Sequence, residues 1–284
     1  MSWILFAYYH RLKKMGNIDK SLPEYKKPPV IEVVCGVQFE EIKSLQSVHY
    51  GEFWQRIKRD YPKTEDMPPL REIFESKEAL APSVQLEAFE MPPLRRIFFV
   101  DNTDNYLLQM QPTRFLANWR KRSETDEYPR FSKAYDRFIN GLNEFESFVK
   151  NLIGISPVVN QFELTYINHM LEKDIPYPIG MKYYLSFLAL NMERAEAFLP
   201  VPRSFQSRLQ FALPNSSGVL HITVSHGRRN DGQKVMVLDL TARGPAKNGI
   251  IGMEEWFKLA HEWIVRGFTD ITSTAAHKEW ERIV

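Results

Sequence analysis

The amino-acid sequence predicts an α+β protein of two similar lobes, each an antiparallel sheet with helices packed on one face. Three observations predict it. Stretches of strand period and helix period alternate along the 284 residues. The same order, strand, helix, meander of three strands and long amphipathic helix, runs twice. Each run closes on an extended apolar stripe at helical spacing, which must be buried against a sheet. With 44% hydrophobic and 25% charged residues, the chain has the composition of a folded globular protein. The expected boundaries are an N-terminal extension over 1–27, a first lobe over 28–156, and a second lobe over 157–284 that includes a C-terminal helix and tail.

The first strand is read from Ile31, Val33, Cys35, Val37 and Phe39, which alternate with Glu32, Val34, Gly36 and Gln38. Pro28-Pro29 leads into it and breaks any preceding helix. Val48, Trp54, Ile57 and Tyr61 share a face at helical spacing, which predicts a helix over 46–61 that Pro62 ends. A loop rich in Pro and charge follows to Pro82, then strands over 83–90, 95–101 and 105–115, with Asp101-Asn-Thr-Asp104 as a turn. Tyr135, Phe138, Ile139, Leu142, Phe145, Val149 and Leu152 predict a helix over 131–153, stopped by Gly154. The second run has a strand over 158–169 and an insertion over 171–203 with a helical stretch at 181–191. Strands near 204–213, 219–226 and 234–242 come next, then a helix over 253–271 carrying Trp256, Ala260, Trp263, Ile264, Phe268 and Ile271.

Charge excludes little by itself: 37 Lys+Arg against 35 Asp+Glu leave a formal net charge of +2, too small to mark a nucleic-acid binder. Short basic clusters such as Arg56-Ile57-Lys58-Arg59 and Arg120-Lys121-Arg122 are scattered. Cys35 is the single cysteine, so an intramolecular disulfide and a Cys-rich zinc site are excluded and a cytoplasmic, reducing compartment is expected. The apolar run over 1–9 precedes its basic residues, the wrong order for a signal peptide, and is far short of the ~20 residues of a membrane span. Residues 1–14 are therefore expected to be an upstream extension.

Function is sought on the sheet face away from the helices. Alternate positions place Gln161, Glu163, Thr165 and His169 together on their strand, with Gln206, Arg208 and Gln210, then His221, Thr223 and Ser225, then Asp239, Thr241 and Arg243 on the neighbours. The first half adds Glu32, Gln38, Gln85, Glu87, Gln109, Gln111 and Thr113. Such alternation suits an ordinary solvated sheet face. It also suits a ligand-binding concavity in which Glu163, Thr165, His169, Arg208, His221, Asp239 and Arg243 grip a polar ligand. Arg114, Trp119, Arg120, His277 and Trp280 are candidates for an interaction surface. No phosphate-binding loop, nucleophile elbow, dinucleotide fingerprint or zinc-protease helix occurs in the sequence, and no metal or cofactor is expected.

Four segments in combination, Pro28-Pro-Val-Ile-Glu-Val-Val-Cys-Gly-Val-Gln-Phe39, Asn118-Trp-Arg120 with Tyr128-Pro-Arg130, Glu163-Leu-Thr-Tyr-Ile-Asn-His169, and Phe268-Thr-Asp-Ile-Thr272 with His277-x-x-Trp280, resemble a sporadically distributed family of uncharacterised prokaryotic proteins. The resemblance spans 28–282. It implies an accessory gene, as in defence loci or mobile elements, and no particular activity. The element order also resembles the duplicated saddle of TATA-binding-like folds, and fold alone fixes no function. The expected function is non-enzymatic binding of a protein or small polar ligand through the polar sheet face or an inter-lobe groove, with a homo-oligomer as a further association. The alternatives are a hydrolase or transferase acting on a phosphate-containing or nucleotide substrate, and nucleic-acid binding through a saddle-shaped sheet.

Overall fold

The computed structural model describes residues 21–72, 95–188, 198–229, 231–246 and 252–284. Nine strands form one antiparallel sheet: β1 (Val30–Phe39), β2 (Lys63–Met67), β3 (Arg96–Val100), β4 (Tyr106–Gln111), β5 (Arg114–Arg120), β6 (Val159–Leu171), β7 (Gln206–Ala212), β8 (Val219–Arg228) and β9 (Lys234–Pro245). The lateral order is β2-β3-β4-β5-β1-β6-β9-β8-β7, with β1 and β6 paired at the centre. The helices are α1 (Ser47–Ile57), α2 (Arg130–Ile153), α3 (Met253–Ile271) and α4 (Thr274–Glu279). The strands expected to make two sheets share this one.

The helix-facing side of the sheet is built from the alternate residues the pattern singled out. Val33, Cys35, Val37 and Phe39 on β1 are buried beside Phe115, Ala117 and Trp119 on β5 and Phe162, Leu164 and Tyr166 on β6. Helix α2 packs on β1 and β5, and α3 on β6, β8 and β9. Aromatic rings join the two helices to the sheet and to each other: Phe145 stacks 5.0 Å from Phe115, Phe257 lies 5.2 Å from Phe138, and Trp256 lies 5.4 Å from Phe162. Gly154 closes α2 in the left-handed region at φ 76°, its N–H donating to the Lys150 carbonyl, as its place at the stripe's end predicts.

Several expectations need correction. In α1 the buried face is Tyr50, Phe53 and Ile57, spaced i, i+3 and i+7, and Val48 is exposed. The single strand expected over 105–115 is two strands, β4 and β5, joined by a tight turn at Pro112-Thr113. The charged Lys63-Thr-Glu-Asp-Met67, read as loop, is edge strand β2, whose exposed charges suit the rim of a sheet. Of the stretch 181–191, the described residues 181–188 hold the end of a short 3₁₀ turn, Ile179–Tyr183, followed by irregular chain with a bridge from Leu185 to Thr272. The strand expected over 83–90, with Gln85 and Glu87, and the extension over 1–14 lie outside the described residues.

Cys35 has no exposed surface, and burial pushes its thiol pKa far up. It should therefore ignore thiol reagents in the folded protein and label at the rate of unfolding. Rapid native labelling, followed by mass, would move Cys35 out of the core.

Candidate polar cavity on the open sheet face

Register brings the polar residues into lateral rows across the face opposite α2 and α3. One row runs Asn118, Val34, Thr165, Thr241, His221 and Gln210 from β5 to β7. The next runs Arg120, Glu32, Ile167, Asp239, Thr223 and Arg208. A cavity of about 560 Å³ lies over their central part, lined by Glu32, Arg96, Asn118, Arg120, Asp239 and Arg243 among others. Gly36 in the adjoining row lets Leu116 lie flat on this face, since a Cβ there would fall 2.2 Å from Leu116 Cδ2. Leu70, in the segment after β2, walls one side. Its N–H donates to Gln111 Oε1 and its carbonyl accepts from Gln111 Nε2, each at 3.0 Å.

A relay of side chains crosses four strands along the floor. Arg96 Nη1 donates to Gln109 Oε1 at 2.8 Å, Gln109 Nε2 donates to Asn118 Oδ1 at 2.6 Å, and Asn118 Nδ2 donates to Glu32 Oε1 at 2.6 Å. Each amide uses one end as acceptor and the other as donor, so the chain has a single direction, from the guanidinium to the carboxylate. Arg96 Nε is left buried without a hydrogen-bond partner.

Beside the relay sits a charged triad. Glu163 accepts from Arg243 Nε and lies 3.5 Å from Arg114 Nη1, and Arg114 Nη2 also donates to Gln38 Oε1 and the Arg71 carbonyl. Thr241 Oγ1 donates to Asp239 Oδ1 at 2.7 Å and lies 2.8 Å from Thr165 Oγ1.

Burial is the largest influence on both remaining carboxyls and holds them above their ordinary range. The Thr241 hydrogen bond and Arg243 pull Asp239 partly back, as Asn118 and Arg120 do for Glu32. A folded chain that holds a proton more tightly than the unfolded chain loses stability as pH rises from the ordinary carboxylate pKa, ~3.9, through the raised value. Asp239→Asn keeps an acceptor for Thr241 and removes the buried charge. Its melting temperature should exceed the parent's at pH 7, and the gain should vanish on acidification below ~pH 3.9. A gap that widens toward acid would show that the carboxylate is stabilised in place.

The structure brings Glu163, Thr165, Asp239 and Arg243 to the cavity together with Arg120, and places Arg114 in the triad. His169, Arg208 and His221 share the face but lie beyond the cavity. His221 Nδ1 is 3.1 Å from Gln210 Nε2 and 3.3 Å from Arg208 Nη2, and burial lowers the His169 pKa. Trp119, His277 and Trp280 belong to the helix side. Trp119 is buried 5.7 Å from the Tyr128 ring, His277 Nε2 lies 2.8 Å from Thr272 Oγ1, and Trp280 stacks on Tyr184 at 6.1 Å. As interaction-surface candidates these three are therefore misplaced, because apolar area and a satisfied imidazole hold them inside. Arg96 and Asn118 are cavity residues that the sequence reading did not place on this face, and Glu32 was placed there without being made a ligand candidate. Their signal was polarity at β-period positions, shared with every wet sheet face.

Among the described residues no group of three or more His, Cys, Asp and Glu is placed to hold a metal ion, and no helix is long and apolar enough to cross a membrane. These features define a protein of mixed helix and strand with one nine-stranded antiparallel sheet, helices on one side and a polar cavity on the other. Compared with protein-family models, curated proteins and solved structures, the chain matches none.

Proposed function

We propose that this is a binding protein, without catalysis of its own, that takes a small polar ligand bearing an anionic group into the cavity on the open sheet face. One observation carries the reading: Arg96 lines the cavity half-buried, oriented by the Gln109–Asn118–Glu32 relay, and retains an unpartnered Nε. A guanidinium held in this way is preorganised for a charge-assisted hydrogen bond to carboxylate or phosphate, and Arg120 is a second cation on the same wall. A concave site of this size favours a small molecule over a flat protein surface. The resemblance noted in the sequence makes an accessory, defence or mobile-element setting the expected context, with the cytoplasm as compartment.

The same reading takes the sheet as an internal duplication with units over 28–156 and 157–284. Support comes from the lateral order, in which β5 flanks β1 as β9 flanks β6, and the meander β3-β4-β5 is matched by β7-β8-β9. The reading keeps the TATA-binding-like saddle that the element order resembles. Nucleic-acid binding along it is the weaker reading, because the cavity mixes three carboxylates, Glu32, Glu163 and Asp239, with its cations.

A second reading, a hydrolase or transferase acting on a phosphate-containing substrate, is favoured by the raised pKa of Glu32 and Asp239, which suits proton transfer. The test is mass spectrometry of small molecules retained by the purified full chain, with titration of pyrophosphate and AMP as probes. Retention of an anionic molecule, weakened about 10–100-fold by Arg96→Ala in a variant that remains folded, is the expected result. Anion binding indifferent to Arg96 and Arg120 would sink the proposal. Phosphate release that Asp239→Asn abolishes would move the assignment to the enzyme.

A further inference from the structure

On the opposite side of the sheet a separate cavity of about 200 Å³ lies between α3, the segment leading into α2, and residues 22–30. Its wall is largely apolar, with Pro28, Val30, Leu240, Ile264, Val265 and Phe268 contributing. Polar groups interrupt that wall, among them Tyr128, Tyr166, His261 and Asn168. Tyr128 and Tyr166 share a hydrogen bond between their hydroxyls at 2.8 Å. His261 stacks on Phe131 with ring centres 4.2 Å apart and planes 8° from parallel, and burial lowers its pKa to about 4, so its imidazole is neutral at pH 7. Asn168, 1% exposed, donates from Nδ2 to the Leu238 carbonyl at 3.1 Å, while its Oδ1 is buried without any partner. The amide cannot be turned to relieve this, because an oxygen would then face the Leu238 carbonyl.

A buried amide oxygen left unpaired costs a folded protein about 1–3 kcal/mol in general, and it needs a reason to be there. We propose that this cavity is a second ligand site, for a neutral molecule of single-ring size that carries one hydroxyl or N–H donor directed to Asn168 Oδ1. Volume sets the size: engineered apolar cavities of about 150 Å³ accept benzene. The apolar wall excludes a net charge, whose desolvation nothing inside would offset. Glu24 and Arg130, the charged residues of the lining, pair with each other at 3.2 Å. The ring would lie beside the His261–Phe131 stack and the tyrosine pair. This site rests on none of the groups that form the polar cavity, so either assignment can fail alone.

The test uses phenol, toluene and benzoate as probes of the unmutated full chain. Phenol should bind saturably and raise the melting temperature by about 3 °C at ten times its Kd. It should also shift the NMR ring signals of His261 and Phe131. Toluene, which lacks the donor, should bind about tenfold more weakly, and benzoate should leave both readouts unchanged. Ile264→Trp, which fills the space, should abolish the phenol response. Absence of saturable phenol binding, equal affinity for toluene, or shifts away from His261 and Phe131 would each overturn the proposal. None of these three readouts needs a variant, so they stand even if Ile264→Trp folds poorly.

Discussion

Trp256→Ala should cost about 3–5 kcal/mol of folding stability, the range for removal of a fully buried large aromatic side chain. Trp256 has no exposed surface, and its ring lies 5.4 Å from Phe162 and 5.2 Å from Phe257. Its indole N–H donates to the buried Ser217 carbonyl at 2.8 Å, so the substitution leaves both a void and an unpaired acceptor. The backbone cannot close that void, because the β8 entry and β9 already touch here: a Cβ on Gly244 would sit 1.9 Å from the Ser217 oxygen. Trp256→Phe keeps most of the volume and should cost less, about 1–3 kcal/mol for the lost hydrogen bond. Trp263, on the same helix, is only half-buried and should cost less than Trp256, although the sequence stripe ranks the two alike. Urea unfolding of the three variants measures the order, and a loss below about 1 kcal/mol for Trp256→Ala would be the behaviour of a surface site.

Glu163→Ala should be the second severe change, at about 3–5 kcal/mol, because it strips one charge from a network whose other members stay buried. The Arg114, Glu163 and Arg243 side chains are 4%, 14% and 17% exposed. Without Glu163 the guanidiniums of Arg114 on β5 and Arg243 on β9 are left on the same face with their charge unbalanced. Glu163→Gln keeps the shape and loses the charge, so it should recover only part of the loss. This differs from the expectation for a carboxylate in an open, wet groove, where the same substitution would remove ligand binding and leave stability alone. A double-mutant cycle with Arg114→Met separates the cases. Coupling near zero would mean that solvent reaches the triad and the network is superficial.

The helices and most of the strands were legible because their physics is local. Helix α3 runs over Met253–Ile271, as its stripe predicts, and α2 differs from its prediction by one residue. Strand β2 was hidden because Lys63-Thr-Glu-Asp-Met67 has no apolar face, being held by pairing with β3 and not by burial. The β4–β5 turn was hidden because Pro112-Thr113 falls inside a stretch whose alternation continues through it. Alternation correctly put Glu163, Asp239, Arg243 and Glu32 on one face. What it could not supply was lateral order: Glu32 and Asp239 become near neighbours only because β6 lies between β1 and β9, a pairing made by segments far apart in the chain. The same holds for Arg96, whose place in the relay depends on side chains from β4, β5 and β1.

The central position of β1 also governs the order in which the molecule can assemble. Both of its partners come later in the chain: β5 ends at Arg120, and β6 begins at Val159, after the whole of α2. During synthesis β1 therefore emerges first and waits, with Val33, Cys35, Val37 and Phe39 uncovered, and even when β5 has docked its other edge stays unpaired until β6 has left the ribosome. Such an edge is a template for pairing with a neighbouring chain. Closure of the β1–β6 seam is thus a late, long-range step, of the kind that slows folding. Chains interrupted between α2 and β6 should accumulate as an aggregation-prone half-sheet, whereas those that reach Leu171 can seal it.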